Sequence, residues 1–395
     1  MRVLMVSDVY FPRINGVSTS MQTFRRAIAA NGVEVQLLVP RYGDEPDEEG
    51  ITRVPGRPVP RDPEDRLMAW RTLRTATLRE AASCDVIHIQ TPFAAHYAGL
   101  AAARKLAKPV LATYHTLFEE YVQYYLPLFP RAWLSGLARR FSRRQCNALD
   151  AVIVPSKAMH ARLGAYGVST PMHVLPTGIT PGDFAAGDGA GFRAAHGIEP
   201  ARPVALFVGR VAFEKNIEFL LEAVVHARAI LPELLLLITG DGPAVPALKQ
   251  RAASLRLNDN VRFVGYLERT TGLPDCYAAG DVFVFASRTE TQGLVLLEAM
   301  AMGLPVVALS AMGTADILDS GRGCITPADD PERFAEALVE ILTQPELRLR
   351  LARQAREHAG QWSDDALAER LAGLYRSLVD KVNGRGDGSD RNFAG

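Results

Sequence analysis

Ten short apolar runs recur along this chain with helix-forming segments between them, and no other feature narrows the fold so far. They read RVLMVSDVY, VEVQLLVP, DVIHIQTP, PVLATYH and AVIVPS in the first half, then PVALFVG, LLLLITGDG, VRFVGYL, DVFVFAS and PVVALS. Strands this short and uninterrupted by polar residues are buried on both faces, which requires a parallel sheet covered by helices on each side. With 395 residues, 48% of them hydrophobic, the chain can build two such cores. The expectation is α/β architecture in two doubly wound parallel-sheet domains, 1–180 and 181–362. The break falls in LPTGITPGDF, Leu175–Phe184, where Pro and Gly cluster. Residues 53–65, RVPGRPVPRDPED, read as a Pro-rich charged loop, and residues 383–395 as a Gly-rich polar tail expected to be disordered.

Several classes of function drop out early. The four cysteines, Cys84, Cys146, Cys276 and Cys324, are far apart without CxxC or Cys/His pairing, so no zinc site or disulfide framework is expected. Reduced, buried thiols in a reducing cytoplasm are the reading. No charged and apolar leader opens the chain and no run of eighteen apolar residues occurs, so neither a secretion signal nor a membrane span is expected. Net charge is zero, yet residues 1–180 hold 22 Lys+Arg against 15 Asp+Glu, and the remainder mirrors that surplus with 22 against 29. The basic half points to an anionic partner. A lipid surface fits better than nucleic acid, because no basic stripe accompanies a recognised nucleic-acid motif.

In open parallel sheets, ligands sit outside the carboxyl ends of the strands, and two such domains facing each other would place a site in a cleft. The first strand ends in DVYFPRINGVSTSMQTFRRAI. There Asn15-Gly16 signals a turn, Ser18 or Thr19 can cap a helix to about Asn31, and Gly16 allows backbone N–H groups to approach a phosphate. An ordinary strand-to-helix turn explains the same residues. His115, in ATYHTLFEEYVQYY, stands at the end of the fourth strand, where an imidazole can hydrogen-bond a polar ligand. In FVGRVAFEKN, Arg210 and Lys215 stand five residues apart after a buried strand, a spacing that suits a diphosphate. Gly240 and Gly242 in ITGDGP mark a tight turn with close backbone approach.

The stretch SRTETQGLVLLEAMAMGLPVVA carries two glutamates. Glu298 lies within a helix read as Leu294–Met302, and its neighbours at three and four positions, Leu294, Val295, Ala301 and Met302, are all apolar. Burying an unpaired carboxylate costs several kcal/mol, whereas accepting hydrogen bonds from the vicinal hydroxyls of a ribose would account for it. Glu290, on the preceding loop, can reach hydroxyls further out. The N–H groups around Gln292, Gly293 and Leu294 form a helix N-terminus suited to a phosphate. Together these residues describe a site for a nucleotide diphosphate bearing a polyol.

Glu290 and, eight positions on, Glu298 in ETQGLVLLEAMAMGLPVVA, together with VGRVAFEKN and GDGP, resemble family 4 of the retaining glycosyltransferases. The resemblance spans about Met1 to Tyr375. It implies the GT-B fold of two Rossmann-like domains, with residues 363–382 as a last helix crossing back to the first. It also implies sugar transfer from a nucleotide diphosphate donor with retention, with no cofactor and no catalytic metal. On that resemblance Arg210 and Lys215 hold the diphosphate, Gly16 lets backbone reach it, Glu298 takes the ribose hydroxyls, Glu290 the sugar hydroxyls, and His115 lies near the reacting centre. The family often has Gly-Gly where this chain has Asn15-Gly16.

Within the family, INGVSTS, TYHTLFEEYVQYY, TETQGLVLLEAM and MGTADIL are most similar to bacterial diacylglycerol glucosyltransferases. That likeness implies UDP-glucose as donor, a lipid acceptor, and a peripheral place on the inner face of the cytoplasmic membrane. PRAWLSGLARRFSRRQ gives independent support. On a helix Leu134, Leu137, Ala138 and Phe141 share one face and Arg139, Arg140, Arg143 and Arg144 the other, beside Trp133, as in a helix lying on an anionic membrane. A helix packed on a sheet with a solvated Arg face explains the same pattern. Glu119 and the aromatic run from Tyr114 to Phe129 are further acceptor-side candidates. A polysaccharide, phosphatidylinositol or soluble-sugar acceptor stays open, as does a non-catalytic nucleotide-sugar binder on the same fold.

Overall fold

The computed structural model describes residues 1–59, 62–115, 131–184, 186–269 and 271–389. The chain divides into two compact units, the first Met1–Gly178 together with the segment from Asp364, the second Ile179–Ser363.

The first unit contains β1 (Arg2–Val6), α1 (Gly16–Ile28), β2 (Glu34–Arg41), β3 (Ile51–Val59), β4 (Asp62–Met68), α2 (Trp70–Ala82), β5 (Val86–Ile89), α3 (Ala94–Leu106), β6 (Val110–Thr113), α4 (Arg131–Cys146), β7 (Ala151–Val154), α5 (Lys157–Ala165) and β8 (Met172–Val174). Its sheet runs β4-β3-β2-β1-β5-β6-β7-β8, parallel except for the β3–β4 pair. Residues 53–59 and 62–65, expected to be loop, thus lie in the strands β3 and β4 at one side of the sheet. Although β3 lies between β4 and β2, Ile51–Pro55 pair only with Leu37–Arg41 of β2 and Gly56–Val59 only with β4, so Pro55 and Pro58 each have one side that needs no N–H donor.

The second unit contains α6 (Gly189–Ala195), β9 (Val204–Val208), α7 (Ile217–Ala227), β10 (Leu235–Thr239), α8 (Val245–Ser254), β11 (Val261–Gly265), α9 (Gly272–Ala279), β12 (Val282–Phe285), α10 (Leu294–Ala301), β13 (Val306–Ala308), α11 (Ala315–Leu318), β14 (Cys324–Ile325), α12 (Pro331–Thr343) and α13 (Pro345–Ala359). Its sheet is parallel in the order β11-β10-β9-β12-β13-β14. Every residue of β9, β10 and β12 is buried, the outcome that their unbroken apolar sequences demand.

The last helix, α14 (Asp364–Ser389), belongs to the first unit and runs past Asn383, where a tail was expected to begin. Leu367, Ala368, Leu371, Ala372 and Tyr375 bury one stripe in the core beneath α1 and the sheet. Arg370 donates to the Val174 carbonyl and Arg376 to that of Asn31, anchoring the flanks.

Both sheets reverse direction at a switch point, between β1 and β5 in the first and between β9 and β12 in the second. Loops leaving the carboxyl ends of those strands diverge to opposite faces, and the crevice left there is where open α/β sheets bind ligands.

Candidate functional site

In the second unit the switch-point loops bring together residues 75 apart in sequence. After β9, Gly209 donates to the Thr239 carbonyl at 3.0 Å and Val211 to that of Asp241 at 2.9 Å, tying the loop to the end of β10. A Cβ on Gly240 would lie 1.9 Å from the Gly209 carbonyl oxygen, so the fold itself demands this glycine, at φ 120°. Asn216, left-handed at φ 55°, opens α7 and donates its side-chain amide to the Ala286 carbonyl at 3.0 Å. That cross-link fixes Lys215 beside the loop after β12, where its ammonium pairs with Glu290 Oε2; both side chains are only 17% exposed. Arg210, two residues beyond β9, is exposed.

Glu290 sits on a turn held from behind. Gly313 donates to the Glu290 carbonyl at 2.8 Å, and a Cβ on Gly313 would lie 1.9 Å from the Thr291 carbonyl oxygen. The MGTADIL segment therefore acts as a backbone clamp on the Glu290–Gln292 turn. Gly293, at φ 94°, then starts α10, whose N-cap position carries no side-chain acceptor.

Glu298 is 1% exposed, as the sequence implied, but it is not unpaired. Its Oε1 accepts from Arg269 Nη2 at 2.6 Å and its Oε2 from the Tyr277 hydroxyl at 2.9 Å. This corrects the expectation of an unpaired carboxylate, while each oxygen keeps further acceptor capacity. Two donors, one of them cationic, offset its desolvation. Neither partner was legible beforehand: Arg269 reads as a turn cation in YLERTTG and Tyr277 as a core aromatic.

The first unit gathers its own polar residues at the β1–β5 switch. Asn15, rather than Ser18 or Thr19, caps α1: its Oδ1 accepts from Val17 and Ser18 N–H, both at 3.0 Å, and Ser18 Oγ closes the capping box by accepting from Asn15 N–H at 2.9 Å. The asparagine in the place of a first glycine is thus the cap. A Cβ on Gly16 would meet nothing within 4 Å, so open space lies beside the first turn of α1. Asp8, after β1, accepts from Thr91 Oγ1 at 2.7 Å and from Ala95 N–H at the start of α3. Burial outweighs these bonds and raises its pKa to about 6.

His115 donates Nε2–H to Gln90 Oε1 at 2.9 Å, since an amide oxygen can only accept. Two residues back on both strands, His88 shares hydrogen bonds with Thr113 Oγ1 at 2.7 Å and, from Nδ1, with the Tyr375 hydroxyl of α14 at 2.6 Å. Burial lowers His115 to about 4 and His88 to about 3, so both imidazoles are neutral at ordinary pH.

On α4, Leu134 and Ala138 are buried and Phe141 is partly so, but Leu137 is 53% exposed and does not join them. At 100° per residue it falls instead beside Arg140 and Arg144, and Phe93 and Tyr97, at the start of α3, are exposed as well. Gln145 ties the two helices through the Pro92 carbonyl at 2.7 Å. Arg139 turns the other way and lies over the Tyr166 ring at 5.7 Å, with Arg143 beside Gly167. Glu119 lies outside the described residues, as does the side chain of Trp133.

Among the described residues no three His, Cys, Asp or Glu side chains are grouped to hold a metal ion, and no helix is long and apolar enough to cross a membrane.

Two family profiles match the chain: "Glycosyltransferase Family 4" over residues 14–182 and "Glycosyl transferases group 1" over residues 190–358. The chain is 33% identical over 323 residues to the alpha-monoglucosyldiacylglycerol synthase of Streptococcus pneumoniae, covering 78% of this chain and 71% of that protein. It is 28% identical over 399 residues to the synthase of the same name from Acholeplasma laidlawii, covering 97% and 98%. Its fold is similar to that of a sucrose-phosphate synthase from Thermosynechococcus elongatus, at a TM-score of 0.80 and 22% identity, over 96% of this chain and 99% of that one.

Proposed function

This chain is a glycosyltransferase of family 4 with the GT-B fold, and from that premise we propose that it moves glucose from UDP-glucose to diacylglycerol with retention at the anomeric carbon. The observation that carries the reading is the Lys215–Glu290 pair at the β9–β12 switch point, one cation and one carboxylate fixed side by side by Asn216 and Gly313. Such a pair matches a diphosphate joined to a sugar: the ammonium faces phosphate oxygens and the carboxylate accepts from sugar hydroxyls. Arg210 and the first-turn N–H groups of α10 add positive potential for the departing diphosphate.

In this reading the bond from the anomeric carbon to the phosphate oxygen breaks while the acceptor oxygen bonds to the same face. The released diphosphate oxygen takes the acceptor's proton. The protein's part is positioning and electrostatic stabilisation, so Glu290 orients the sugar and is not a nucleophile. His115 is kept neutral by burial and fixed by Gln90, which suits a hydrogen-bonding neighbour of the sugar. The acceptor is assigned from the names of the relatives and from the outward flank of α4, where Leu137 stands beside Arg140 and Arg144 in the basic half of the chain. That flank suits an anionic membrane surface, with the enzyme peripheral on its cytoplasmic face.

The test offers UDP-glucose, UDP-galactose and GDP-mannose, each labelled in the sugar, to the purified protein with anionic vesicles containing diacylglycerol or with soluble sugars. Labelled lipid from UDP-glucose alone, reduced by Leu137→Glu together with Arg140→Glu, is the expected result. Transfer only to soluble sugars, or from another donor, would overturn the assignment.

A further inference from the structure

Two rungs of polar side chains cross the face of the first sheet that α14 covers. His88 bonds Thr113 Oγ1 at 2.7 Å, and His115 Nε2 bonds Gln90 Oε1 at 2.9 Å. Each rung joins a residue at the end of β5 to one 25 positions later at the end of β6, so the second repeats the first one pleat further along. The pleat continues past the strand ends, because Gln90 N–H donates to the Val6 carbonyl at 2.9 Å and Tyr114 N–H to that of Ile153 at 2.8 Å. Around the rungs the same face is apolar, with Val86, Leu111 and Ile153 at most 1% exposed and packed with α14.

The first rung has a further partner on α14. His88 Nδ1 shares a hydrogen bond with the Tyr375 hydroxyl at 2.6 Å, the two rings standing edge to face with centres 5.7 Å apart. Both hydroxyls can donate or accept, so His88 is satisfied on both nitrogens whichever one carries the proton. With His88 and Tyr375 both buried, the imidazole cannot swing away without stranding a polar atom. Apolar side chains would fill this place without any polar atom to satisfy. What a polar clamp adds is geometry: it fixes the ends of β5 and β6 one pleat before Gln90 and His115, and with them the direction of the His115 ring.

We infer that Tyr375 and His88 are positioning residues for sugar transfer that act through His115, the last helix setting the second rung by fixing the first. The inference rests on the place of His115 beside the sugar, as proposed above.

The experiment measures initial rates of transfer from UDP-glucose to diacylglycerol vesicles by the full chain, with thermal melts to check folding. The variants are Tyr375→Phe, Tyr375→Phe/His88→Leu, which leaves no imidazole nitrogen unpaired, and each of these combined with His115→Ala. Tyr375→Phe should lower kcat about fivefold with KM for UDP-glucose within about twofold, and the Phe/Leu pair should do the same although its melting temperature recovers. In the His115→Ala background neither change should lower the rate further, because all act through one group. Nitrogen-15 spectra of the histidine-labelled chain read the link without substrate: Tyr375→Phe should move the His115 resonances, and unmoved resonances would overturn the inference. An unchanged kcat in Tyr375→Phe, a kcat that recovers with the melting temperature, or an equal loss in the His115→Ala background would also overturn it, while leaving the reading of His115 intact. Wild-type transfer by His115→Ala alone would remove that reading and the inference with it.

Discussion

Replacing Glu290 by Gln should separate binding of the nucleotide from transfer of the sugar. The substitution keeps the size and one acceptor oxygen but removes the charge that Lys215 faces across a pair only 17% exposed on each side. Two unit charges about 4 Å apart interact by about 1 kcal/mol in bulk water and about 4 kcal/mol at an effective dielectric near 20. Residual exposure and the entropy of two long side chains bring the value toward the lower figure. A diphosphate approaching Lys215 meets a cation partly cancelled by Glu290, so removing the carboxylate returns about 1 kcal/mol, or roughly fivefold tighter binding of UDP. Transfer should move the opposite way. A charge-assisted hydrogen bond to a sugar hydroxyl exceeds a neutral one by about 1–1.5 kcal/mol, so turnover should fall about tenfold. Calorimetry with UDP, which lacks the sugar, measures the first effect, and initial rates at saturating sugar donor measure the second. A rise in the UDP dissociation constant that parallels the loss of turnover would refute the reasoning, because Glu290 would then be holding the loop rather than orienting the sugar.

Other consequences can be checked separately. Gly16→Ala meets no protein atom within 4 Å, so its melting temperature should match the wild type while transfer falls; unchanged kinetics would remove Gly16 from the site. Tyr375→Phe leaves His88 Nδ1 buried without its partner, at a cost of about 1–3 kcal/mol, or several degrees in a differential scan, and an unshifted transition would show that α14 is not anchored there. Acid stability has a defined sign. His88 at about 3, and His96 and His115 at about 4, lie below their ordinary 6.5 because of burial, so their contribution is complete above pH 6.5 and is lost as pH falls toward 4. Asp8, raised to about 6, works the other way over part of that window and offsets one of the three, so melting temperatures should still decline from pH 6.5 to 4. A flat or rising profile would contradict the burial of these imidazoles.

The two sheets were legible because a strand buried on both faces needs an unbroken apolar run, and that need is local. RVLMV, VALFV and LLLIT announce themselves without any knowledge of their neighbours. Glu298 was likewise legible as anomalous, since a carboxylate among Leu294, Val295, Ala301 and Met302 has no solvated face to occupy. What resolves the anomaly was not legible. Arg269 lies 29 residues away and Tyr277 lies 21 away, and only the stacking of α9 and the β11 loop against α10 makes them its partners. The pairing of β3 with β4 escaped the reading because Pro and charge mark loops on average, whereas each half of β3 is paired on one side only, which removes the penalty that proline carries where both sides are paired. Leu137 joined the wrong face because a period of 3.6 gives angles around a helix, not the direction of the core. The sequence alone determined which residues must be buried and where strands end, since these follow from local apolarity and turn chemistry. Tertiary structure decided which donor meets which carboxylate, because hydrogen bonds between distant segments depend on register and packing that no local pattern encodes.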